Sequence, residues 1–167
     1  LLELSTRDDL SRLLNRRGFF SQADKQVRLA SRVKQNIGIL YLDLDSLKHI
    51  NDQLGHRIGD KAIAALATAI RKVIRESDVA GRIGGDEFVI VMLAEEEESL
   101  AKLTYRIRQE LKLQRTGELE NVDLSVSIGS RLFRHPHISS IDKMVSEVDQ
   151  RMYQDKLFNH RNAEKKA

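Results

Sequence analysis

The segment Gly84-Gly85-Asp86-Glu87-Phe88 constrains this chain more than any other. It separates Val79-Ala80-Gly81-Arg82-Ile83 from Val89-Ile90-Val91-Met92-Leu93. Apolar and β-branched runs on either side of a Gly-Gly pair predict a tight antiparallel hairpin. A type I′ turn needs positive φ at both central residues, and glycine supplies it without a Cβ clash. Asp86 and Glu87 then stand at the hairpin tip, where connecting segments commonly carry function. Two carboxylates beside bare backbone suit a hard cation and an approaching phosphate. Taken alone, such a turn reads as a solvated hairpin with acidic edges, so the case for chemistry has to come from the rest of the chain.

The chain has 167 residues, 41% hydrophobic and 32% charged, which is enough for one domain with a real core. It lacks cysteine, which excludes a disulfide scaffold and any Cys-based zinc site or nucleophile, and fits a reducing compartment. Its longest apolar stretch, Ala62 to Ile70 interrupted by Thr68, is far too short to span a bilayer. No signal-peptide pattern opens it, and Leu rather than Met at position 1 suggests a piece of a longer protein. The net charge of +3 suits a small anionic ligand. It is too weak and dispersed for a nucleic-acid polymer, and no basic stripe interleaves with aromatics.

Leu1 to Leu4 read as the end of an upstream helix, and Asp8-Asp9-Leu10-Ser11 as a turn with capping chemistry. An amphipathic helix is expected from Asn15 to about Lys34, and a buried strand over Ile37–Leu44 that ends in carboxylates. Asp45 or Ser46 can cap a short helix through Asn51, broken near Gly55. Gly59-Asp60 is expected to open a helix from Lys61 to about Glu76. After the hairpin, the acidic run Glu95–Glu98 complements the start of a helix over about Ser99–Leu113. Leu124–Ile128 alternates as a strand, Arg134–His137 reads as a polar loop, and a last helix covers Ile138 to about Phe158. Helices placed singly or in pairs between strands predict an α/β (α+β) sandwich of the split βαβ kind. The first strand and the hairpin would lie side by side with their carboxylates at one end.

The stretch Leu42 to Asp60 adds a constellation. Asp43, at the end of a buried strand, costs stability unless it is paired or coordinated. Lys48, just inside the next helix, can meet a phosphate as a point charge. Asn51 and Asp60 offer an amide and a carboxylate across a glycine-marked break. An Asp can accept hydrogen bonds from N1–H and the exocyclic amine of guanine, a donor pair adenine lacks.

Here the chain resembles the GGDEF domain family, the diguanylate cyclases. Asp43, Asp45, Lys48, Asn51, Asp52, Gly55, His56, Gly59 and Asp60 match the family pattern D-x-D-x-F-K-x-x-N-D-x-x-G-H-x-x-G-D, with Leu47 for its Phe. Asp8, Leu10, Leu13, Asn15, Arg16 and Arg17 match the entry motif D-x-L-T-x-L-x-N-R-R, with Ser11 for Thr. Ser125–Gly129 resembles its late strand, and the likeness spans about residues 6 to 158.

The resemblance implies a ferredoxin-like core, similar to adenylyl cyclase and polymerase palms, with a central, mostly antiparallel sheet flanked by helices. It implies a catalytic domain over 8–158, with 1–7 the end of an upstream signalling linker and 159–167 a polar C-terminal tail. Each domain would hold one GTP and two Mg²⁺ or Mn²⁺ ions. Asp43, the Leu44 carbonyl and Asp86 resemble the metal ligands, and Glu87 the second signature acid. Asn51 and Asp60 would read guanine. Lys48, the Gly84-Gly85 backbone and the helix start at Asp45–Leu47 would hold phosphates. Two domains in a homodimer would have to face each other to join two GTP into cyclic di-GMP. The full-length protein would work in the cytoplasm, free or tethered to a membrane sensor, under an upstream sensor domain.

Arg75-Glu76-Ser77-Asp78 stands where the family carries its inhibitory R-x-x-D motif. Arg75, Asp78 and, on the next helix, Arg106 would bind the cyclic di-GMP product away from the active site. The closing motif departs from the family. Asp149, Tyr153 and Lys156 match, but Val148, Arg151 and Asp155 replace small alanines, Asn159 replaces Gly, and His160 stands where an Arg is expected. Lys156 is left to contact the triphosphate, with Arg161 a substitute if the chain slips by one residue. An active cyclase is the first reading, because Asp43, Asp86 and Glu87 are all retained. The alternative is a catalytically silent GGDEF module that binds GTP or cyclic di-GMP as a receptor. Cyclic GMP-AMP synthesis is disfavoured because Asp60 is kept.

Overall fold

The computed structural model describes residues 4–166. Its elements are α1 (Arg16–Val33), β1 (Ile37–Leu44), α2 (Leu47–Leu54), α3 (His56–Val73), β2 (Val79–Arg82), β3 (Glu87–Leu93), α4 (Glu97–Leu113), β4 (Val126–Phe133) and α5 (Ile141–Lys166). A 3₁₀ turn at Gly117–Leu119 lies between α4 and β4. The strands form one sheet in the order β2-β3-β1-β4, with every neighbour antiparallel. β1 and β2 therefore run the same way with β3 between them, the split βαβ arrangement of the ferredoxin-like fold.

Strand alternation sorts the core into two layers. Leu40, Leu42, Leu44, Phe88 and Ile90 face α3 and α4, packing with Leu66, Ile70 and Ile107. Ile37, Ile39, Tyr41, Val89 and Val91 face α1 and α5, packing with Phe19, Val27, Met144 and Val148. Because β1 is central and covered on both faces, all of its residues are buried, which is why its sequence reads as an apolar run rather than an alternation. α1 opens on Asn15, whose side chain accepts the Gly18 N–H at 2.9 Å, and closes on Lys34 in the left-handed region.

Both sheet edges are occupied. Beside β2 runs the entry segment: the Leu14 N–H donates to the Ala80 carbonyl at 3.3 Å and the Arg82 N–H to the Leu14 carbonyl at 2.8 Å. Side chains cover β4. Asp155 accepts the Ile128 N–H at 2.8 Å, Arg108 donates to the Val126 carbonyl at 2.6 Å, and Arg151 donates to the Ser130 carbonyl at 3.1 Å. An uncovered strand edge invites pairing with another chain, and these contacts remove the invitation.

Several boundaries differ from the sequence expectation. α3 begins at His56, because Gly55 takes φ +87° and breaks the chain there; Gly59 and Asp60 lie inside the helix rather than ahead of it. The hairpin loop is not a two-residue type I′ turn. Neither Gly84 nor Gly85 has positive φ, the loop runs over residues 83–86, and the Ile83 N–H closes it on the Glu87 carbonyl at 2.9 Å. Glu87 is thus the first residue of β3, not part of the tip. β4 starts at Val126, two residues later than expected, and α5 continues through the polar residues after Asn159 to Lys166. The expected upstream helix at Leu1–Leu4 falls largely outside the described residues, and Leu4 itself is exposed irregular chain.

Candidate active site

The register of β1 against β3 places Asp43 opposite Glu87. The loop before Glu87 is tied to the same place, since the Leu44 N–H donates to the Asp86 carbonyl at 3.0 Å. The carboxylates of Asp43, Asp86 and Glu87 come together, with an oxygen from each lying within 4.8 Å of the others. Glu87 folds back over Gly84, and a Cβ there would displace its carboxylate from this position.

Asp43 is 4% exposed. Burial, helped by the negative charge of Asp86, pushes its carboxyl up to about 7, against the pull of Lys156. Lys156 Nζ stands 3.0 Å from Asp43 Oδ1. Burial works against the lysine's charge, but its hydrogen bond to Asp43 and the field of Asp43, Asp86 and Asp45 outweigh it and hold its pKa above the ordinary value. Asp43 Oδ1 is buried, and its close contact is the Lys156 ammonium. An all-oxygen set that includes a buried carboxylate fits a hard divalent cation, and the Leu44 backbone follows directly at the strand end.

The β1–α2 junction leaves a helix start without a side-chain cap. Ser46 sits at φ 59°, ψ 26°, a left-handed conformation that costs a non-glycine residue energy and is typical of functional sites. Contrary to the expected cap, no side chain caps α2, so its first N–H groups are free of side-chain partners. Lys48 is exposed on that first turn. Below the junction, Asp45 is buried and accepts hydrogen bonds from Ser127 Oγ at 2.5 Å and Ser125 Oγ at 2.7 Å, while its N–H donates to the Ser125 carbonyl at 2.9 Å. Asn159 Nδ2 reaches Asp45 Oδ2 at 3.3 Å and Ser127 Oγ at 3.1 Å. The sequence placed Asp45 at the helix start that would hold phosphates, but gave no role to its carboxylate or to Ser127 and Asn159 beside it.

Across the Gly55 break, Asn51 on α2 lies against Gly59 on α3. A side chain at Gly59 would strike the Asn51 carboxamide oxygen, which is buried and has no partner among the described residues. Asp60, next to Gly59, is exposed. A carboxamide with an unused acceptor thus lies against Gly59, one residue before the exposed Asp60.

A family model described as "Diguanylate cyclase, GGDEF domain" matches residues 5–162. The chain belongs to the GGDEF domain family. It is 31% identical over 161 residues to the probable diguanylate cyclase DgcC of Escherichia coli K12, covering 96% of this chain and 43% of that protein. Diguanylate cyclase DgcP of the same organism is 34% identical, covering 93% of this chain and 46% of that protein. The chain therefore spans less than half the length of these relatives. The crystal structure of the GGDEF domain of DgcB from Caulobacter crescentus in complex with c-di-GMP superposes with a TM-score of 0.83 at 27% identity, covering 95% of this chain and 92% of that one.

A second region of this GGDEF domain gathers Arg75, Asp78 and Arg106 around a cavity of about 560 Å³, with Tyr105 and Lys102 on its rim. Arg75 and Asp78 form a turn closed on itself: the Arg75 N–H donates to Asp78 Oδ2 at 2.8 Å and the Asp78 N–H to the Arg75 carbonyl at 3.0 Å. Burial raises the Asp78 carboxyl above its ordinary range, opposed by the Arg75 N–H and charge. Arg161 follows Lys156 by five residues on the continuous α5, about 140° around the helix from it. His160 occupies the same helix face as Lys156.

Proposed function

We propose that this domain is a diguanylate cyclase, which joins two GTP molecules into cyclic di-GMP and releases two pyrophosphates. The observation that carries the reading is the convergence of Asp43, Asp86 and Glu87 at one sheet end, beside Lys156 and an uncapped helix start. In each half-reaction a ribose 3′-oxygen forms a bond to the α-phosphorus of the other GTP. The bond from that phosphorus to the β-phosphate bridging oxygen breaks, pyrophosphate leaves, and the 3′-hydroxyl proton is lost.

Asp43, Asp86, Glu87 and the Leu44 carbonyl would hold Mg²⁺ or Mn²⁺, two per site, whose charge lowers the pKa of the 3′-hydroxyl and offsets negative charge building at the α-phosphate. Lys156, Lys48, the Gly84-Gly85 backbone and the α2 N-terminus bind and orient the triphosphate. Asn51 and Asp60 select guanine. One domain holds one nucleotide, so two copies must face each other and turnover follows dimerisation. The cavity at Arg75, Asp78 and Arg106 takes the product and holds domains apart, as feedback inhibition. An upstream sensor domain in the full-length protein would govern the pairing.

The test is product formation from GTP and Mg²⁺ across protein concentrations, resolved by anion exchange, for the parent and Asp86→Ala. Cyclic di-GMP rising more steeply than linearly with protein, and its loss in a folded Asp86→Ala variant, supports the reading. Absence of product from a forced dimer moves the assignment to a silent receptor module. Unchanged activity in Asp86→Ala removes Asp86 from the metal site.

A further inference from the structure

The second half of α5 is not held by the core. Its buried residues end at Met152, and beyond it Tyr153, Leu157 and Phe158 face solvent. Lys156 nevertheless reaches Asp43 at 3.0 Å. A lysine has several free rotors, and holding one in a single position on an unanchored helix end carries an entropic cost that something must offset.

Two polar clamps flank it. Asp155, one residue earlier, accepts the Ile128 N–H at 2.8 Å and Arg108 Nη2 at 3.0 Å. Asn159, three residues later, donates to Ser127 Oγ at 3.1 Å and to the buried Asp45 at 3.3 Å. At helical spacing, positions 155, 156 and 159 fall within about 100° of one another, so all three face the sheet end together. The family pattern has small residues, Ala and Gly, at positions 155 and 159.

We propose that Asp155 and Asn159 are positioning residues of the nucleotide site. They dock the end of α5 onto β4 and the Asp45 junction, and so hold the Lys156 ammonium where it meets the triphosphate. The inference rests on the GTP reading above.

The first test needs no nucleotide. Hydrogen exchange at amides 153–162 should accelerate about tenfold or more in Asp155→Ala and in Asn159→Gly, with 141–152 unchanged, since losing local contacts lowers local opening free energy. Equal exchange in parent and both variants overturns the proposal. The second test is a thermodynamic cycle on equilibrium binding of 3′-deoxyGTP with Mg²⁺, a nucleotide that cannot react. Asp155→Ala should weaken binding about tenfold in the parent but have no effect in a Lys156→Met background, as for residues coupled through one contact. The same loss in both backgrounds makes the clamp merely structural and overturns its positioning role. A parent that does not bind 3′-deoxyGTP rejects the GTP reading, and the nucleotide role of the clamp with it. The exchange result tells that failure apart from failure of the clamp itself.

Discussion

Arg82 Nη1 lies 3.2 Å from Asp8 Oδ2, and the same guanidinium donates to the Gly85 carbonyl through Nε at 3.0 Å and Nη2 at 2.8 Å. One side chain thus joins the entry turn of the domain to the backbone just before Asp86. Asp8 also accepts the Ser11 N–H at 2.8 Å. Burial acts to raise its carboxyl, but the Ser11 and Arg82 contacts prevail and hold it below the ordinary range.

Breaking this link should cost both stability and turnover. Arg82→Ala is expected to lose about 1.5–3 kcal/mol, the usual worth of hydrogen bonds to charged groups. It should also lower the rate of cyclic di-GMP formation by loosening the Gly84–Asp86 loop. Arg82→Lys should not rescue, because an ammonium cannot make the fork that spans a carboxylate and a carbonyl. The Asp8 carboxyl is depressed in the fold, so its stabilisation is present above its unfolded pKa and lost as pH falls through the folded one. Melting curves of the parent and Asp8→Asn should therefore converge in acid. A constant gap down to acid pH would show that the charge of Asp8 contributes nothing.

Asp43 works in the opposite direction. Its folded carboxyl is pushed up to about 7, well above the ordinary carboxylate range, so the folded protein holds this proton more tightly than the unfolded chain. That stabilisation is complete below the unfolded value and disappears as pH rises through the folded one. Metal-free Asp43→Asn should melt higher than the parent at pH 8, by roughly 2–4 °C for each kcal/mol relieved in a domain this size. The gain should shrink toward pH 5. Mg²⁺ should raise the melting temperature of the parent and leave the variant where it is. A variant that melts lower at pH 8 contradicts the burial penalty assigned to Asp43.

At the second cavity, Arg75→Ala should weaken inhibition by cyclic di-GMP by about tenfold to a hundredfold, the range of a binding hot spot, with the KM for GTP unchanged. Asp78→Ala should weaken inhibition too, but at a cost in stability, because the Arg75 N–H loses its acceptor. Equal inhibition constants in Arg75→Ala and the parent would separate the cavity from regulation.

Much of this could be read from the chain because the relevant signals are local. Ile37–Leu44 forms the strand expected of an apolar run ending in carboxylates, and the pairing of Asp43 with Glu87 follows from laying that strand beside the hairpin. The errors arise where tertiary contacts override local preference. Gly59-Asp60 resembles a helix start, yet the positive φ at Gly55 starts α3 earlier, and Gly59 is small because Asn51 lies against it. The Gly-Gly pair resembles a type I′ turn, but neither glycine has positive φ, and the Glu87 carboxylate folds back over Gly84. The end of α5 reads as a frayed polar tail because nothing local announces that Asp155 and Asn159 find partners on β4 and at Asp45.

The occupied edges of the sheet bear on how two such domains can meet. β2 is bordered by the Leu14 backbone, and β4 by Asp155, Arg108 and Arg151. These contacts disfavour continuing one sheet into the other and direct an encounter between copies to loops and helix faces. Such a contact can be made, turned or released without unzipping a backbone ladder. On the cyclase reading proposed above, in which two half-sites come together and part, a sheet with covered edges keeps assembly reversible.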